Sequence, residues 1–310
     1  MTAGSGRRPR VAAIIPTLGE RRLILQTLEA LRSQTVTVDR IVVVLQGESE
    51  WLPGALASIG DTRVRLVCAP RGLARARNAG IRELRDLERV VIGFADDDVV
   101  FDPDAVAVAL EEIAAGADVV TGRLVSEGGL RAKFPELKVE LNNRNVWRAA
   151  LEGLMFATRD YCETVGGFDE DLGLGSGTPW GSGEGTDFLL KGLAFGRRLT
   201  FTPRLAAREL SAPALPSAAR SRAYARGTGY VYGRHYGVSG QVRAVVGALV
   251  RTASSAIRGD FAKLPEGWAV LLGRLEGLAG YRASANGGER RRFDAAQRSR
   301  PTRAGGGSVR

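Results

Sequence analysis

Along the first 125 positions, apolar residues fall into short continuous runs separated by stretches of helical period. VAAII (11–15) ends at Pro16, which predicts a buried strand stopped by a turn. Leu23, Leu25, Leu28 and Leu31 predict a helix over 20–33. IVVVL (41–45) predicts a second buried strand and RVRLV (63–67) a third, with only a short connection between them. LARARNAGIREL (73–84) has the pattern of a helix, and VVIGFA (90–95) is a strand running straight into Asp96, Asp97 and Asp98. A further helix is predicted over 104–115 with Asp102 as its N-cap, then a strand over ADVVTGRLV (117–125).

Strands that are apolar throughout, rather than on alternate positions, are buried on both faces. Interleaved with helices, they predict an α/β, Rossmann-like domain: a mostly parallel sheet with helices on both sides. Ligands in such sheets bind beyond the carboxyl ends of the strands. Pro16-Thr17, Gln46-Gly47 and Asp96–Asp98 all fall there, so one cleft can hold all three. Residues 126–212 are less regular and include the glycine-dense GLGSGTPWGSGEG (173–185). Residues 213–281 return to helical patterns, with Val242, Val245, Val246, Leu249 and Val250 set against Arg243 and Arg251. Residues 282–310 are rich in Arg, Gly and Ser and are expected to be disordered.

Composition narrows the classes. A chain of 310 residues is one large domain or two small ones, and 44% hydrophobic with 25% charged residues is globular. Cys68 and Cys162 exclude a disulfide scaffold and fit a reducing compartment. No apolar run is long enough to span a membrane, and MTAGSGRRPR has no apolar core, so neither a spanning helix nor a secretory signal is expected. The net charge of +10 is uneven: residues 197–258 hold eleven arginines against Glu209 alone, while residues 11–196 are net acidic. The excess sits in the two tails and this late segment, without the aromatic platform that stacks bases, so nucleic acid is not the expected partner. Anionic lipid or a phosphorylated substrate fits better.

Three carboxylates at the end of a buried strand are costly unless neutralised. A divalent cation does this best. Hard oxygen ligands favour Mg2+ or Mn2+, and no Cys/His cluster suggests zinc. The competing reading of Asp96–Asp98 is a solvated turn with a helix cap.

IIPTLGE (14–20), IVVVLQGES (41–49), RGLARARNAGI (71–81), GFADDDV (93–99), VGGFDEDLG (165–173) and GSGEGTDFLLKGL (181–193) together resemble the ordered motifs of family 2 glycosyltransferases. The resemblance covers roughly residues 11–212. It implies a GT-A fold, a nucleotide-diphosphate sugar donor, Mn2+ or Mg2+, and usually inversion at the anomeric carbon. The implied organisation is a basic tail (1–10), a nucleotide-sugar-binding half (11–125), an acceptor-binding and catalytic half of the same domain (126–212), a C-terminal helical extension (213–281) and a second basic tail (282–310).

Residue by residue, the resemblance assigns donor contacts to Pro16, Thr17, Glu20, Gln46, Arg71, Arg77, Asn78, Asp96 and Asp97, and metal contacts to Asp98 and Asp96. Gln46 departs from the aspartate many members carry on the base. The family's catalytic base lies in a Glu-Asp pair after a glycine-rich loop. Here the text reads Glu184-Gly185-Thr186-Asp187, so the base is Glu184, which we favour, or Asp187. The alternative is that both simply cap a helix. Asp169 and Glu170 are expected to contact acceptor hydroxyls or to be turn residues, and Trp180 to stack on a sugar or to pack. Relatives often carry a metal-binding His after the next strand. FTPRLAARELSAP (201–213) has none, leaving Glu209 as the nearby candidate, and His235 reads as structural.

The expected activity is metal-dependent glycosyl transfer to a glycan, a lipid-linked glycan or a small-molecule acceptor. The rival is a catalytically degenerate module that binds sugar nucleotides or glycans. A Rossmann oxidoreductase is excluded because IIPTLGE lacks G-x-G-x-x-G. The expected location is cytoplasmic. A peripheral contact with the inner face of the membrane through 241–281 competes with ordinary helix packing of that segment.

Overall fold

The structure, a computed structural model, describes residues 8–126, 129–130, 134–149, 153–211 and 217–286. In chain order the first half runs β1 (Arg10–Thr17), α1 (Ile24–Arg32), β2 (Arg40–Gln46), α2 (Leu52–Ile59), β3 (Val64–Ala69), α3 (Leu73–Glu83), β4 (Val90–Ala95), β5 (Val99–Phe101), α4 (Ala105–Ala114) and β6 (Val119–Ser126). It continues with β7 (Gly129–Leu130), β8 (Val139–Glu140), α5 (Val146–Ala149), β9 (Leu154–Thr158), α6 (Arg159–Val165), α7 (Glu184–Ala194) and β10 (Leu199–Glu209). Three long helices follow: α8 (Ala218–His235), α9 (Val238–Ile257) and α10 (Leu264–Asn286), with a 3-10 turn at Phe261–Lys263 before the last.

One sheet carries the main strands in the order β3-β2-β1-β4-β9-β6-β10-β5. The first four are parallel, as the continuous apolar runs require. β9 enters antiparallel between β4 and β6, so the second half is mixed. Side chains alternate across the sheet. Even-numbered β1 residues Ala12 and Ile14 pack with α3, α6 and α7, and odd-numbered Val11, Ala13 and Ile15 pack with α1, α2 and α4. Both faces are therefore covered, which is why no polar stripe interrupts these strands.

Four local expectations need correction. Pro16 does not stop β1, which continues to Thr17 and pairs Pro16 with Val44. The Val11 N–H and C=O both turn toward Asp39 on the β2 side, so even-numbered residues turn theirs toward β4. The β4 ladder ends at Ile14, and the N–H that Pro16 lacks has no rung to fill. Asp102 is not the N-cap of α4. The cap is Asp104, and Asp102 meets the helix start through its carbonyl, which accepts the Ala105 N–H at 3.0 Å. The connection after β2 holds α2, whose buried Leu52 and Leu56 lie four residues apart and whose end is capped by left-handed Gly60. At the other end of the chain, α10 reaches Asn286, so residues 282–286 of the expected tail are helix. The rest of that tail, and residues 1–7, lie outside the described residues.

β6 and β10 pair in parallel, with a register shift between Phe201 and Ala206. At this irregularity Gly122 lies so close to β10 that a Cβ would sit 2.0 Å from the Leu205 carbonyl oxygen. Backbone cannot yield as a flexible side chain can. Gly122→Ala is expected to lower stability by about 1–3 kcal/mol, read as a drop in chemical-denaturation midpoint with unchanged slope. An unchanged midpoint would contradict this packing.

Candidate active site

The carboxyl ends of β1, β2 and β4 do converge. Thr17, the last residue of β1, donates its hydroxyl to Asp97 Oδ2 at 2.5 Å and accepts the Gly19 N–H at 2.9 Å. Burial lifts the Asp97 carboxyl above its usual range, against the Thr17 hydrogen bond, and neighbouring Asp98 and Asp96 add to the lift. Gln46, ending β2, does not present its carbonyl to the cleft. Its Oε1 accepts the Gly72 N–H at 3.0 Å and so fixes the start of α3. Glu20 and Arg71 stand exposed at the rim.

Asp98 is met by Arg21, whose Nη1 lies 3.3 Å from Oδ2 and 2.8 Å from the Ser211 hydroxyl. Beside it, the Leu210 N–H donates to the Asp98 carbonyl at 2.8 Å, and Glu209 pairs with Val99. The end of β10 therefore runs along the acidic triplet, and Glu209 is brought next to it in the chain register.

Arg77, from the middle of α3, is 1% exposed. Its Nη2 donates to Asp96 Oδ1 at 3.1 Å, its Nη1 lies 3.5 Å from Glu184 Oε1, and its guanidinium stands 5.3 Å from the Phe168 ring centre. Phe168 stacks in turn on Phe188 of α7 at 4.2 Å. One buried cation thus joins the strand-end carboxylates to the first residue of α7. Glu184 is itself buried, and the Gly173 end of the glycine-dense loop lies against its carboxylate.

On the far side of Arg77, the expected contact residues are committed to the protein. Asn78 is sandwiched by the GGFDE turn: its Nδ2 donates to the Phe168 carbonyl at 2.9 Å and to Glu170 Oε1 at 3.0 Å, and its Oδ1 accepts the Phe168 N–H at 2.9 Å. Asp169 pairs with Arg234 of α8, and its other oxygen accepts the Asp171 N–H. Glu170 also lies 3.7 Å from Arg75 Nε. Trp180 stacks on Tyr230 at 4.8 Å and closes against Gly280, which is the packing alternative for this residue.

Asp187 is fully buried. Lys191 Nζ lies 2.9 Å from Oδ2, while Oδ1 has His235 Nε2 at 2.7 Å and Arg234 Nη1 at 3.3 Å. Burial pushes the Asp187 carboxyl up, but Lys191, Arg234 and His235 together outweigh it and hold it well below the usual carboxylate range. His235 is the residue that sequence reasoning left outside the site. It lies 48 positions from Asp187, and only the return of α8 across α7 brings them together.

A divalent cation was expected at Asp96 and Asp98. Among the described residues, no three His, Cys, Asp or Glu side chains form a metal-holding group. Two hard carboxylates are nonetheless the donor set with which Mg2+ or Mn2+ is held when substrate phosphates and water supply the remaining positions. Gly153 packs directly on Asp96, where a Cβ would sit 2.2 Å from Oδ2, so this carboxylate keeps its position only beside a residue without a side chain. The residues present fit a cation that arrives with a diphosphate rather than one caged by the protein alone.

No curated protein matches the chain. Among solved structures, GalNAc-T7, crystallised with UDP, GalNAc and Mn2+, is similar at a TM-score of 0.54 and 15% identity. The match covers 74% of this chain and 51% of that one, so the chain spans about half the length of that relative. The likeness shows a shared GT-A type fold. The family model described as Glycosyl transferase family 2 matches residues 12–165, a span that holds β1 to β4, Arg77 and the whole acidic triplet. Over that span, close to half of its length, the chain matches glycosyl transferase family 2.

Proposed function

We propose that the chain transfers a sugar from a nucleoside diphosphate donor to a hydroxyl of a glycan, lipid-linked glycan or small-molecule acceptor, with inversion and with Mn2+ or Mg2+. The observation that carries this reading is the buried Arg77 guanidinium between Asp96 and Glu184. Its support is that Asp96 and Glu184 lie 3.1 and 3.5 Å from the same guanidinium, which brings the donor-side carboxylate and the candidate base of this reading close together.

Asp96 and Asp98 would hold the cation, which would supply charge stabilisation to the departing diphosphate. Thr17 orients Asp97 and shapes the loop over the nucleotide, with Pro16, Glu20 and Arg71 around the base and ribose. Gln46 acts on the donor indirectly, by setting the Gly72 end of α3. Arg77 holds Asp96 in place and adds positive charge beside the leaving group. The acceptor oxygen attacks the anomeric carbon as the bond to the diphosphate oxygen breaks. The bonding electrons leave with the nucleoside diphosphate, and the acceptor proton passes to Glu184. Because the glycine-dense loop covers Glu184, acceptor entry displaces that loop.

Asp187 is a poor base. A carboxylate held by three cationic or donor groups gains little by taking a proton. Its role is to anchor α8 to α7 through Arg234 and His235, and Asn78 performs a similar task for the GGFDE turn, where Asp169 and Glu170 frame the acceptor side.

The wild-type protein is expected to bind nucleoside diphosphates much more tightly with Mn2+ than without, measured by titration calorimetry. Asp98→Asn is expected to remove that difference and, with it, turnover across a panel of donors. Metal-independent nucleotide binding without turnover in the wild type would instead indicate a binding module. Gly153→Ala is expected to weaken Mn2+-dependent nucleotide binding, because the new methyl displaces Asp96, and to lower the melting temperature, because Asp96 is one of the anions beside buried Arg77. Retained affinity would contradict the part given to Asp96 in holding the cation.

Glu184→Gln is expected to lower kcat by about 10²–10⁴-fold with donor affinity retained. Asp187→Asn is expected to cost about 3–5 kcal/mol of stability, since it strands buried cations. The Asp187 carboxyl sits below its unfolded value, so its stabilisation is complete above about pH 4 and is lost as the pH falls toward the folded-state value. Acid unfolding curves should therefore converge for Asp187→Asn and wild type at the lowest pH. Full turnover in Glu184→Gln would overturn the base assignment.

A further inference from the structure

The α9 helix is inside out for a helix packed on a globular domain. The face it turns to the protein carries small residues, Ala244, Ala248, Thr252 and Ser255, and it approaches α10 so closely that a Cβ on Gly267 would meet the Thr252 hydroxyl at 2.5 Å. The opposite face carries the large apolar side chains: Val238, Val242, Val246, Leu249, Val250 and Ile257, the last 86% exposed. Recurrence at three and four residues keeps them on one stripe. Phe261 continues it at the turn, 68% exposed, and Trp268, Leu272 and Leu275 extend it along the outer side of α10. An apolar stripe of this extent outside a well-packed domain marks an interaction surface.

Charge tells what the surface fits. Residues 238–259 contain Arg243, Arg251 and Arg258 and no acidic residue. Each arginine directly follows an exposed apolar residue, about 100° further round the helix, so the three line one border of the stripe. None of the three makes an ion pair among the described residues. Long side chains at such a border reach the headgroup level while their neighbours enter the acyl region. A second copy of the chain fits less well. Twofold pairing of this face would bring arginine rows together with no carboxylate on α9 to receive them. Among the described residues no helix is long and apolar enough to cross a membrane, so the stripe lies in the interface rather than spanning it.

We infer that the outer face of the α9–α10 hairpin docks the protein on an anionic lipid bilayer. The helices would lie in the plane of the headgroups, with Trp268 at the boundary. This inference does not depend on the reading of the catalytic site, although α8, which anchors Asp187, belongs to the same helical layer.

Co-sedimentation of the full chain with vesicles tests it. Binding to vesicles enriched in phosphatidylglycerol is expected to be roughly 100-fold tighter than to phosphatidylcholine alone, from three arginines near the surface, and to weaken with salt. A double variant, Leu249→Glu with Val250→Glu, is expected to abolish binding. A triple variant, Arg243→Gln, Arg251→Gln and Arg258→Gln, is expected to fall to the phosphatidylcholine level. All substituted positions are exposed, and melting curves should match wild type. No binding of the wild type to either vesicle, equal binding to both, or a concentration-dependent dimer that the Glu variant disperses without any vesicle binding would each overturn the inference.

Discussion

A single buried guanidinium ties together the strand ends, the GGFDE turn and α7. Arg77 is almost completely removed from water, and a cation there is tolerable only beside fixed anions. Asp96 supplies one from the end of β4, and Glu184 supplies another from the start of α7. The Phe168 ring beneath the guanidinium adds a third favourable contact and ties in the GGFDE turn. Four segments far apart in sequence are thereby held to one point. The same arrangement brings Asp96 and Glu184, the proposed donor-side carboxylate and base, to one guanidinium.

A second buried charge cluster has a different task. Asp187 is encircled by Lys191, Arg234 and His235, and Arg234 reaches on to Asp169. These contacts fasten the C-terminal helical layer to α7 and to the GGFDE turn. The two acidic residues of the EGTD segment therefore divide their roles by environment. Glu184 lies under a glycine-dense loop beside the Arg77 guanidinium, whereas Asp187 is held by Lys191, Arg234 and His235.

Much of this was legible in the residues themselves. Continuous apolar runs at β1, β2 and β4 announced a sheet covered on both faces, and the motifs at their ends fall in one cleft, as the strand polarity demands. What escaped depended on chain context. Pro16 stops a strand only where its missing N–H faces a ladder, and that depends on register. β5 has three residues and β9 five, too short for their period to stand out, although β9 changes the sheet from parallel to mixed. Gln46, Asn78 and Trp180 have side chains suited to ligands, but each is held by protein partners that come together only in the fold. His235 could not be paired with Asp187 from spacing, because the path between them runs through β10 and a reversal of direction into α8.

The central claim is that a cation held by Asp96 and Asp98 binds a donor diphosphate across Arg77 from Glu184. Crystals grown with Mn2+ and a nucleoside diphosphate, with anomalous scattering locating the metal, test it most directly. The account predicts one manganese peak between the Asp96 and Asp98 carboxylates and the diphosphate, with Glu184 on the opposite side of the cleft from the leaving oxygen. A diphosphate bound elsewhere, or a manganese peak away from both carboxylates, would contradict it.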